Sequence, residues 1–220
     1  CLIQAAEPGA PVIYAPVSAL MDPRTGMLKS DAIESGVLSA ATVEMASYYG
    51  LPAETSGSAT AQFVPNVRSG YERALSAMPS ILSWPDILVG AGLLGSAMIL
   101  SLEQMLIDTE TFRMCKQAHR GIVSGDDKWL DDVLDQTGPG GQFWDQVSTT
   151  TAIRDGEWYL SKKGTMASLE EWKAAGKREL VEDAREKVNQ ILSSHEPLPL
   201  DEDIDRELER IRKRAAESFH

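Results

Sequence analysis

Short apolar stretches alternate with longer amphipathic stretches along the first half of the chain. The apolar stretches occupy residues 11–16, 51–57 and 86–90, and the first and third read PVIYAP and DILVG. Their starts are spaced by roughly 35 residues, which accommodates one strand and one crossover helix. Strands that alternate with helices form a parallel sheet. The pattern therefore predicts an α/β fold with parallel, adjacent strands near these positions and helices on one face.

The first predicted helix begins near Asp31, where Asp31 and Glu34 have the spacing of a capping box. Gly50 is placed to end it as a C′ residue. Apolar residues recur every three or four positions between these ends and predict one inward face. That face comprises Ile33, Val37, Ala41, Met45 and Tyr48.

Two further helices follow the second and third apolar stretches. Asn66 can cap the second helix and Pro79 is expected to stop it. The third is predicted over residues 96–119, with Gly121 closing it. The inward face expected for the second helix comprises Val67, Tyr71, Leu75 and Met78.

The character of the sequence changes near residue 126. Residues 1–125 form the βα units, and residues 126–220 are predicted to be a helical extension that packs on them. Helices are expected over residues 126–136, 168–193 and 201–216, the second opened by a capping box of Ser168 and Glu171. Three βα units are too few to close a (β/α)8 barrel, which takes about 250 residues. The pattern leaves open a small open sheet or the last part of a barrel.

The composition argues against several classes of function. The 220 residues carry a net charge of −12, which argues against nucleic acid as a partner, because phosphate binding needs clustered Lys and Arg. The two cysteines, Cys1 and Cys115, form no metal-binding spacing, and Cys115 lies in a helical pattern that favours a buried thiol. No secretory signal or membrane-length apolar run is evident. A cytoplasmic protein without a membrane or metal site is expected.

One glycine motif has two interpretations. Gly90, Gly92 and Gly95 fit G-x-G-x-x-G after a predicted strand and before a predicted helix, as in a dinucleotide-binding turn. The acidic residue that should follow a second strand is missing, because Asp108 falls within a helical pattern. A nucleotide-binding α/β domain is therefore kept as an alternative, and a tight βα turn is the simpler interpretation.

Polar and aromatic residues collect where the predicted strands end, which is where α/β barrels bind ligands. Tyr14, Glu54, Thr55 and Ser58 lie there, followed by a long loop over residues 57–66. An aromatic ring beside a carboxylate suits a methylammonium cation.

Six segments in this order resemble the carboxy-terminal half of the trimethylamine methyltransferase family. The resemblance implies a (β/α)8 TIM barrel with an extra helical tail. It also implies methyl transfer, as in methanogenesis, from a methylated amine to the Co(I) corrin of a separate protein. The segments are PGAPVIYAPVSALMDPRTG (8–26), EMASYYGLPAETSG (44–57), SGYERAL (69–75), LSLEQMLIDTE (100–110), GPGGQF (138–143) and HEPLPLD (195–201).

The chain departs from the family pattern at several positions. It has no pyrrolysine, which the founding trimethylamine enzymes carry. Where relatives read T-D-S-K-V-P-D, this sequence reads TAQFVPN over residues 60–66, so Ala61 and Phe63 replace an acidic and a basic residue. Gly95 and Gln142 stand where relatives have a polar residue and His. These departures favour a quaternary amine such as glycine betaine over trimethylamine.

The residues at the strand ends set the expected site, and the resemblance sets the expected partners. Tyr14 and Glu54 are expected to hold the cationic head, with Thr55, Ser58 and Gln62 around it. Gly90 and Gly92 are expected to face the corrin. The expected partners are a cognate corrinoid protein, which carries the cobalamin, and a small methylated amine; homo-oligomerisation stays open. No catalytic side chain is evident, and the 220-residue chain is expected to be inactive alone. A non-catalytic barrel remnant is a further alternative.

Overall fold

A computed structural model describes residues 2–161 and 168–218. The chain divides into two compact units, residues 1–188 and 189–220. The strands are β1 (Leu20–Met21), β2 (Leu28–Lys29), β3 (Glu54–Ser56), β4 (Ile87–Val89), β5 (Leu93–Leu94) and β6 (Ile99–Leu100). The α-helices are α1 (Leu2–Ala6), α2 (Ile33–Tyr48), α3 (Val67–Leu82), α4 (Leu102–Arg120), α5 (Asp131–Thr137), α6 (Val147–Arg154), α7 (Leu169–Ala174), α8 (Leu180–Ser194) and α9 (Glu202–Ser218).

The central pairing is parallel, as predicted. In β3 and β4, Glu54 lies opposite Ile87 and Ser56 opposite Val89. The stretch at 11–16 contributes a single parallel bridge, between Tyr14 and Ala53, in place of a full strand. Prolines at both ends of that stretch limit the backbone N–H groups available for a longer ladder.

The helices α2, α3 and α4 cover one face of this sheet, which confirms the predicted layering. Ala53 packs with Val43 and Ala46 of α2. Leu88 packs with the cluster formed by α3 and α4, which includes Ile81. Ala53, Thr55 and Leu88 point to the same side because strand residues alternate and Thr55 lies opposite Leu88.

The faces predicted to point inward on α2 and α3 are wrong. The five α2 residues and the four α3 residues named above are all exposed. Most of the buried positions are small or polar instead, because the two helices approach closely: a Cβ on Gly36 would lie 2.8 Å from the carbonyl oxygen of Ser76. The buried residues are Ser35, Gly36, Ser39, Thr42, Val43 and Ala46 in α2, and Ser69, Arg73, Ser76, Ala77, Ser80 and Ile81 in α3.

The predicted helix ends are correct in part. Asn66 and Ser69 form a capping box at the start of α3. Asp31 caps nothing, because it accepts from Lys29 Nζ at 2.9 Å and Ala32 is the N-cap of α2. Pro79 does not stop α3, which continues to Leu82.

The third helix starts later than predicted. The hairpin of β5 and β6 occupies residues 93–100, and α4 begins at Leu102 with Ser101 as its N-cap. Gly121 follows its last residue with φ +69°, as expected for a glycine terminator.

The extension is more broken than predicted. Leu130, at φ +53°, separates the 3₁₀ turn Asp126–Lys128 from α5. The capping box of Ser168 and Glu171 is confirmed, but the single long helix is wrong. It ends after six residues, where Gly176 and Lys177 adopt positive φ, and α8 begins afterwards. Among the described residues, we find no helix with the length and apolar character that a membrane span requires.

The second unit is dominated by α9. Its arginines form ion pairs one turn along the helix, such as Arg206 with Asp203 and Arg210 with Glu207, both at 2.6 Å. Such exposed pairs stabilise a helix weakly.

Cys115 is expected to react slowly with thiol reagents in the folded chain. It is buried against Ala77 and Ile81, and burial raises the pKa of its thiol, so the reactive thiolate is scarce at pH 8. In a Cys1→Ser background, alkylation of Cys115 should be at least about tenfold slower in buffer than in 6 M urea. Cys1 lies outside the described residues. Equal rates in the two solvents would contradict the buried position.

Candidate functional site

The loops that follow β3 and β4 lie side by side at the carboxyl ends of the strands. The first loop covers residues 57–66 and the second residues 90–101. Backbone N–H groups of Gly95 and Ser96 donate to carbonyls of the first loop at 2.8 and 2.9 Å. Parallel α/β proteins bind ligands at this edge of the sheet, so this loop pair is the candidate functional site.

A buried ion pair lies beneath the two loops. Arg73 of α3 donates through Nη1 to Oδ2 of Asp108 in α4 at 2.6 Å, and the two side chains are 2% and 1% exposed. Arg73 also donates to the carbonyls of Ser58 and Leu93, one in each loop. Asp108 accepts from Ser58 Oγ at 2.8 Å and from the N–H of Gly92 at 2.7 Å. The pair therefore ties both loops to both helices.

Hydrogen bonds from polar partners offset the free-energy cost of burying this ion pair. Gln104 Nε2 donates to Asp108 Oδ1 at 2.9 Å and completes the partners of the carboxylate. Burial lowers the pKa of the Arg73 guanidinium, and the nearby charge of Asp108 acts in the opposite direction. Taking two charges out of water is costly unless hydrogen bonds satisfy them. Enclosed in this way, the pair can position the loops but cannot touch a ligand.

A second carboxylate, Glu72, organises the first loop. Thr60 Oγ1 donates to Glu72 Oε2 at 2.5 Å, and the N–H of Ala61 donates to the same oxygen at 3.3 Å. Gln62 Nε2 donates to Glu72 Oε1 at 3.1 Å. The predicted substrate-binding residue Gln62 is therefore held in a fixed orientation, with one of its amide hydrogens already engaged.

The sheet has an open face, formed by Glu54, Ser56, Ile87 and Val89, opposite the helices. Ile87 and Val89 are 39% and 38% exposed. No ion pair or hydrogen bond reaches the Glu54 carboxylate from the part of the chain that the structure describes. A half-buried, unpaired carboxylate beside apolar side chains can attract a cation that brings its own apolar surface.

The structure does not bring Tyr14 and Glu54 together. Tyr14 packs against Val43 and Ala53 on the helix side, and its ring lies 6.3 Å from that of Tyr49. Because Tyr14 bridges Ala53, its side chain points away from the open face. Strand alternation therefore turns the side chains of Tyr14 and Glu54 to opposite sides of the sheet, which does not favour their expected shared role around one cationic head.

Thr55 and Ser58 are also turned away from the open face. Thr55 is buried on the helix side of the sheet. Ser58 is fully buried at φ +61°, and its hydroxyl donates to Asp108. Ser58 therefore supports the first loop, Thr55 is enclosed within β3, and neither offers its hydroxyl to a ligand on the open face.

The glycine motif forms a hairpin and not a dinucleotide-binding turn. The N–H of Gly92, which would have to bind phosphate, donates to Asp108. A Cβ on Gly92, at φ +81°, would lie 2.9 Å from the carbonyl oxygen of Ser101. A Cβ on Gly95 would meet the ring of Phe63 at 2.9 Å. The glycines therefore allow close packing, and the nucleotide-binding alternative is not favoured.

The charged residues that build the site were not predicted from the sequence. Arg73, Asp108 and Glu72 lie in helical patterns, and the sequence analysis gave none of them a role in the site. One signal was available: Arg73 and Asp108 lie within SGYERAL and LSLEQMLIDTE, two of the segments that carry the family resemblance.

Comparison with known sequences supports the resemblance. The family model for trimethylamine methyltransferase (MTTB) matches residues 1–218. The chain is 31% identical over 220 residues to trimethylamine methyltransferase MttB of Methanosarcina barkeri, which covers 99% of this chain and 44% of that protein.

Two relatives from Desulfitobacterium hafniense are similar to the chain over most of its length. The glycine betaine methyltransferase of Desulfitobacterium hafniense is 31% identical over 209 residues, or 94% of this chain and 43% of that protein. Trimethylamine methyltransferase MttB of Desulfitobacterium hafniense is 30% identical over 203 residues, or 92% of this chain and 40% of that protein. The chain thus spans less than half the length of these curated relatives.

Proposed function

Because this chain belongs to the trimethylamine methyltransferase family, we propose that it takes part in methyl transfer from a methylated amine to a corrinoid protein. The observation that carries the proposal is the family match over residues 1–218. The similarity to proteins named for trimethylamine and for glycine betaine supports a tertiary or quaternary amine as the methyl donor.

We further propose that the β3–β4 sheet belongs to a (β/α)8 barrel with the site at its carboxyl end. Two features support this architecture: the parallel pairing and the packing of α2, α3 and α4 on one face of the sheet. In such barrels the opposite face of each strand lines the interior. Glu54 would then point into the barrel beside Ile87.

The substrate head is proposed to bind between Glu54 and the first loop. The Glu54 carboxylate supplies the negative charge. Phe63, which is exposed on that loop, supplies an aromatic face of the kind that attracts a quaternary ammonium. A permanent cation needs no proton exchange, so one carboxylate and one ring suffice. Glycine betaine is therefore the proposed donor in preference to trimethylamine.

The corrinoid partner supplies the methyl acceptor, a Co(I) corrin. The second loop fits the approach of a planar ring at the carboxyl end, because Gly90 and Ala91 are small and partly accessible. Gly92 is enclosed and supports the loop instead. The role of this chain is to bind and orient the amine and to hold both loops, which is catalysis by positioning and electrostatics.

Glu54→Gln is expected to weaken glycine betaine binding by about 1–3 kcal/mol, because it removes the charge that faces the cation. Calorimetric titration of the protein with glycine betaine, choline, carnitine and trimethylamine measures this. Methyl transfer to a Co(I) corrinoid is then assayed with the same donors. Glu44→Gln, on the exposed surface of α2, is the matched control and should leave binding unchanged.

Three outcomes would contradict the proposal at different levels. Tighter binding of trimethylamine than of glycine betaine would overturn the donor. Unchanged affinity in Glu54→Gln would overturn the site and leave the family membership intact. Failure to methylate a Co(I) corrinoid with any of the four donors would overturn the reaction.

A further inference from the structure

A groove in the extension is not used by the proposed reaction. It has a volume of about 800 Å³ and lies between α5, the glycine-rich loop at 138–141, and α6. Three of the five tryptophans of the chain line it, together with one phenylalanine. These aromatic residues are Trp129, Phe143, Trp144 and Trp158. The groove shares no lining residue with the open face or with the two loops of the candidate site.

The four aromatic rings of this groove do not stack on one another. Among the ring contacts of the described residues, none joins two of these four side chains. Trp84 offers a contrast, because it stacks on His119 at a centroid distance of 4.2 Å and an angle of 16°. Trp129 and Trp144 remain 71% and 68% exposed. Exposed indole faces of this kind can accept a ligand.

The charge around the groove is negative. Residues 126–161, which form it, contain eight acidic and two basic side chains. One of the two basic residues, Lys128, is already paired with Glu157. The acidic residues lie on the elements that carry the groove, and at moderate salt a charge acts over roughly 10 Å. The groove is therefore complementary to a cation.

The side chains that line the groove favour one class of organic cation over another. No Asp or Glu lines the groove among the described residues, and its polar lining side chains are Gln142, Ser148 and Thr149. A primary ammonium has three N–H donors that need acceptors when water is removed. A quaternary ammonium has no N–H donor and is attracted by ring faces alone. The lining therefore favours the quaternary cation.

We propose that this groove binds an organic quaternary ammonium cation that carries a hydrocarbon tail. The indole faces hold the trimethylammonium head, and the aliphatic side chains of Leu134 and Ile153 pack on the tail. The volume supports a ligand with a tail, because cavities of roughly 300–1,000 Å³ suit organic molecules larger than a bare methylamine. This site is separate from Glu54 and does not depend on the proposed methyl transfer.

The test uses hexyltrimethylammonium as the probe on the 220-residue chain. Binding is followed by calorimetry and by the change in tryptophan fluorescence. Hexylammonium should bind more weakly than hexyltrimethylammonium, and the uncharged isostere 3,3-dimethylbutanol more weakly than choline. Raising NaCl from 20 to 500 mM should weaken binding of both quaternary probes.

Variants locate the site. Trp144→Leu should weaken hexyltrimethylammonium binding by about 2- to 30-fold, the range for losing one cation–π contact, whereas Trp144→Phe should retain most of the affinity. Trp84→Leu is the matched control because Trp84 lies outside the groove and is also exposed. Glu54→Gln weakens the separate cation site proposed on the open face, so it should leave the tryptophan fluorescence response of the groove to hexyltrimethylammonium unchanged.

The proposal is overturned if hexylammonium or the uncharged isostere binds as tightly as its quaternary counterpart, which would indicate a general apolar docking groove. No binding at millimolar probe, or an unchanged affinity in both Trp144 variants, would also overturn it. Loss of the tryptophan fluorescence response in Glu54→Gln would place the cation on the open face instead. Circular dichroism of each variant confirms that it is folded.

Discussion

Replacing Arg73 with leucine is expected to lower the free energy of unfolding by about 3–5 kcal/mol, the usual cost of leaving one charge of a buried pair without its partner. The change leaves the Asp108 carboxylate, which is 1% exposed, without its charged partner. It also removes the donors to the carbonyls of Ser58 and Leu93. Because both loops of the candidate site are tied to this guanidinium, they should also become more mobile.

Urea unfolding of the 220-residue chain measures the stability, and amide hydrogen exchange over residues 57–66 and 90–101 measures the loops. Arg24→Leu is the matched control, because Arg24 pairs with Asp22 on the surface and should leave the unfolding midpoint unchanged. A loss below about 1 kcal/mol in Arg73→Leu would contradict the role given to the pair.

The double variant Arg73→Leu/Asp108→Leu measures how strongly the contributions of the two side chains to the free energy of unfolding depend on each other. Removing both charges leaves no buried charge without a partner. The double variant should therefore lose less free energy of unfolding than the two single variants lose in sum. Strict additivity would show that the two side chains act independently, in conflict with the 2.6 Å contact.

Gly92→Ala is expected to destabilise the chain by about 2–4 kcal/mol, because backbone strain and crowding add. Gly92 has φ +81°, and a Cβ there would lie 2.9 Å from the carbonyl oxygen of Ser101 and 3.0 Å from Cβ of Met105. Moving this backbone would also lengthen the hydrogen bond from Gly92 to Asp108.

Gly140→Ala is a close control for that prediction. Gly140 has φ +80°, but nothing lies within 4 Å of the added Cβ, so strain alone acts and about 1–2 kcal/mol is expected. Thermal or urea unfolding of both variants gives the comparison. Equal losses would show that close packing around Gly92 does not matter.

The sequence determined the order of elements and the parallel pairing at the centre of the fold. The apolar stretches at 51–57 and 86–90 are separated by one helical stretch, and this arrangement requires a crossover and therefore a parallel pair. It also determined helix starts at which all the capping hydrogen bonds are made within four consecutive residues, such as the capping boxes at Asn66 and Ser168. The family was evident from ordered segments along nearly the whole chain.

The tertiary structure decided which faces point inward. Periodicity shows that Val37 and Met45 share a face of α2, but not that α3 approaches so closely that the opposite face, with Gly36, must be buried. For the same reason strand alternation could not show that Tyr14 lies on the helix side, because that depends on its register against Ala53.

The site itself was decided by contacts that are remote in sequence. Arg73 and Asp108 are 35 positions apart, and each alone resembles a charged residue on a solvated helix face. Only the packing of α3 against α4 places them together beneath the loops and excludes water, and burial then makes their pairing and the hydrogen bonds to Ser58 and Gly92 necessary. The sequence alone determined which residues carry charge, whereas the tertiary structure decided which charges support the loops and which, like Glu54, stay free to meet a ligand.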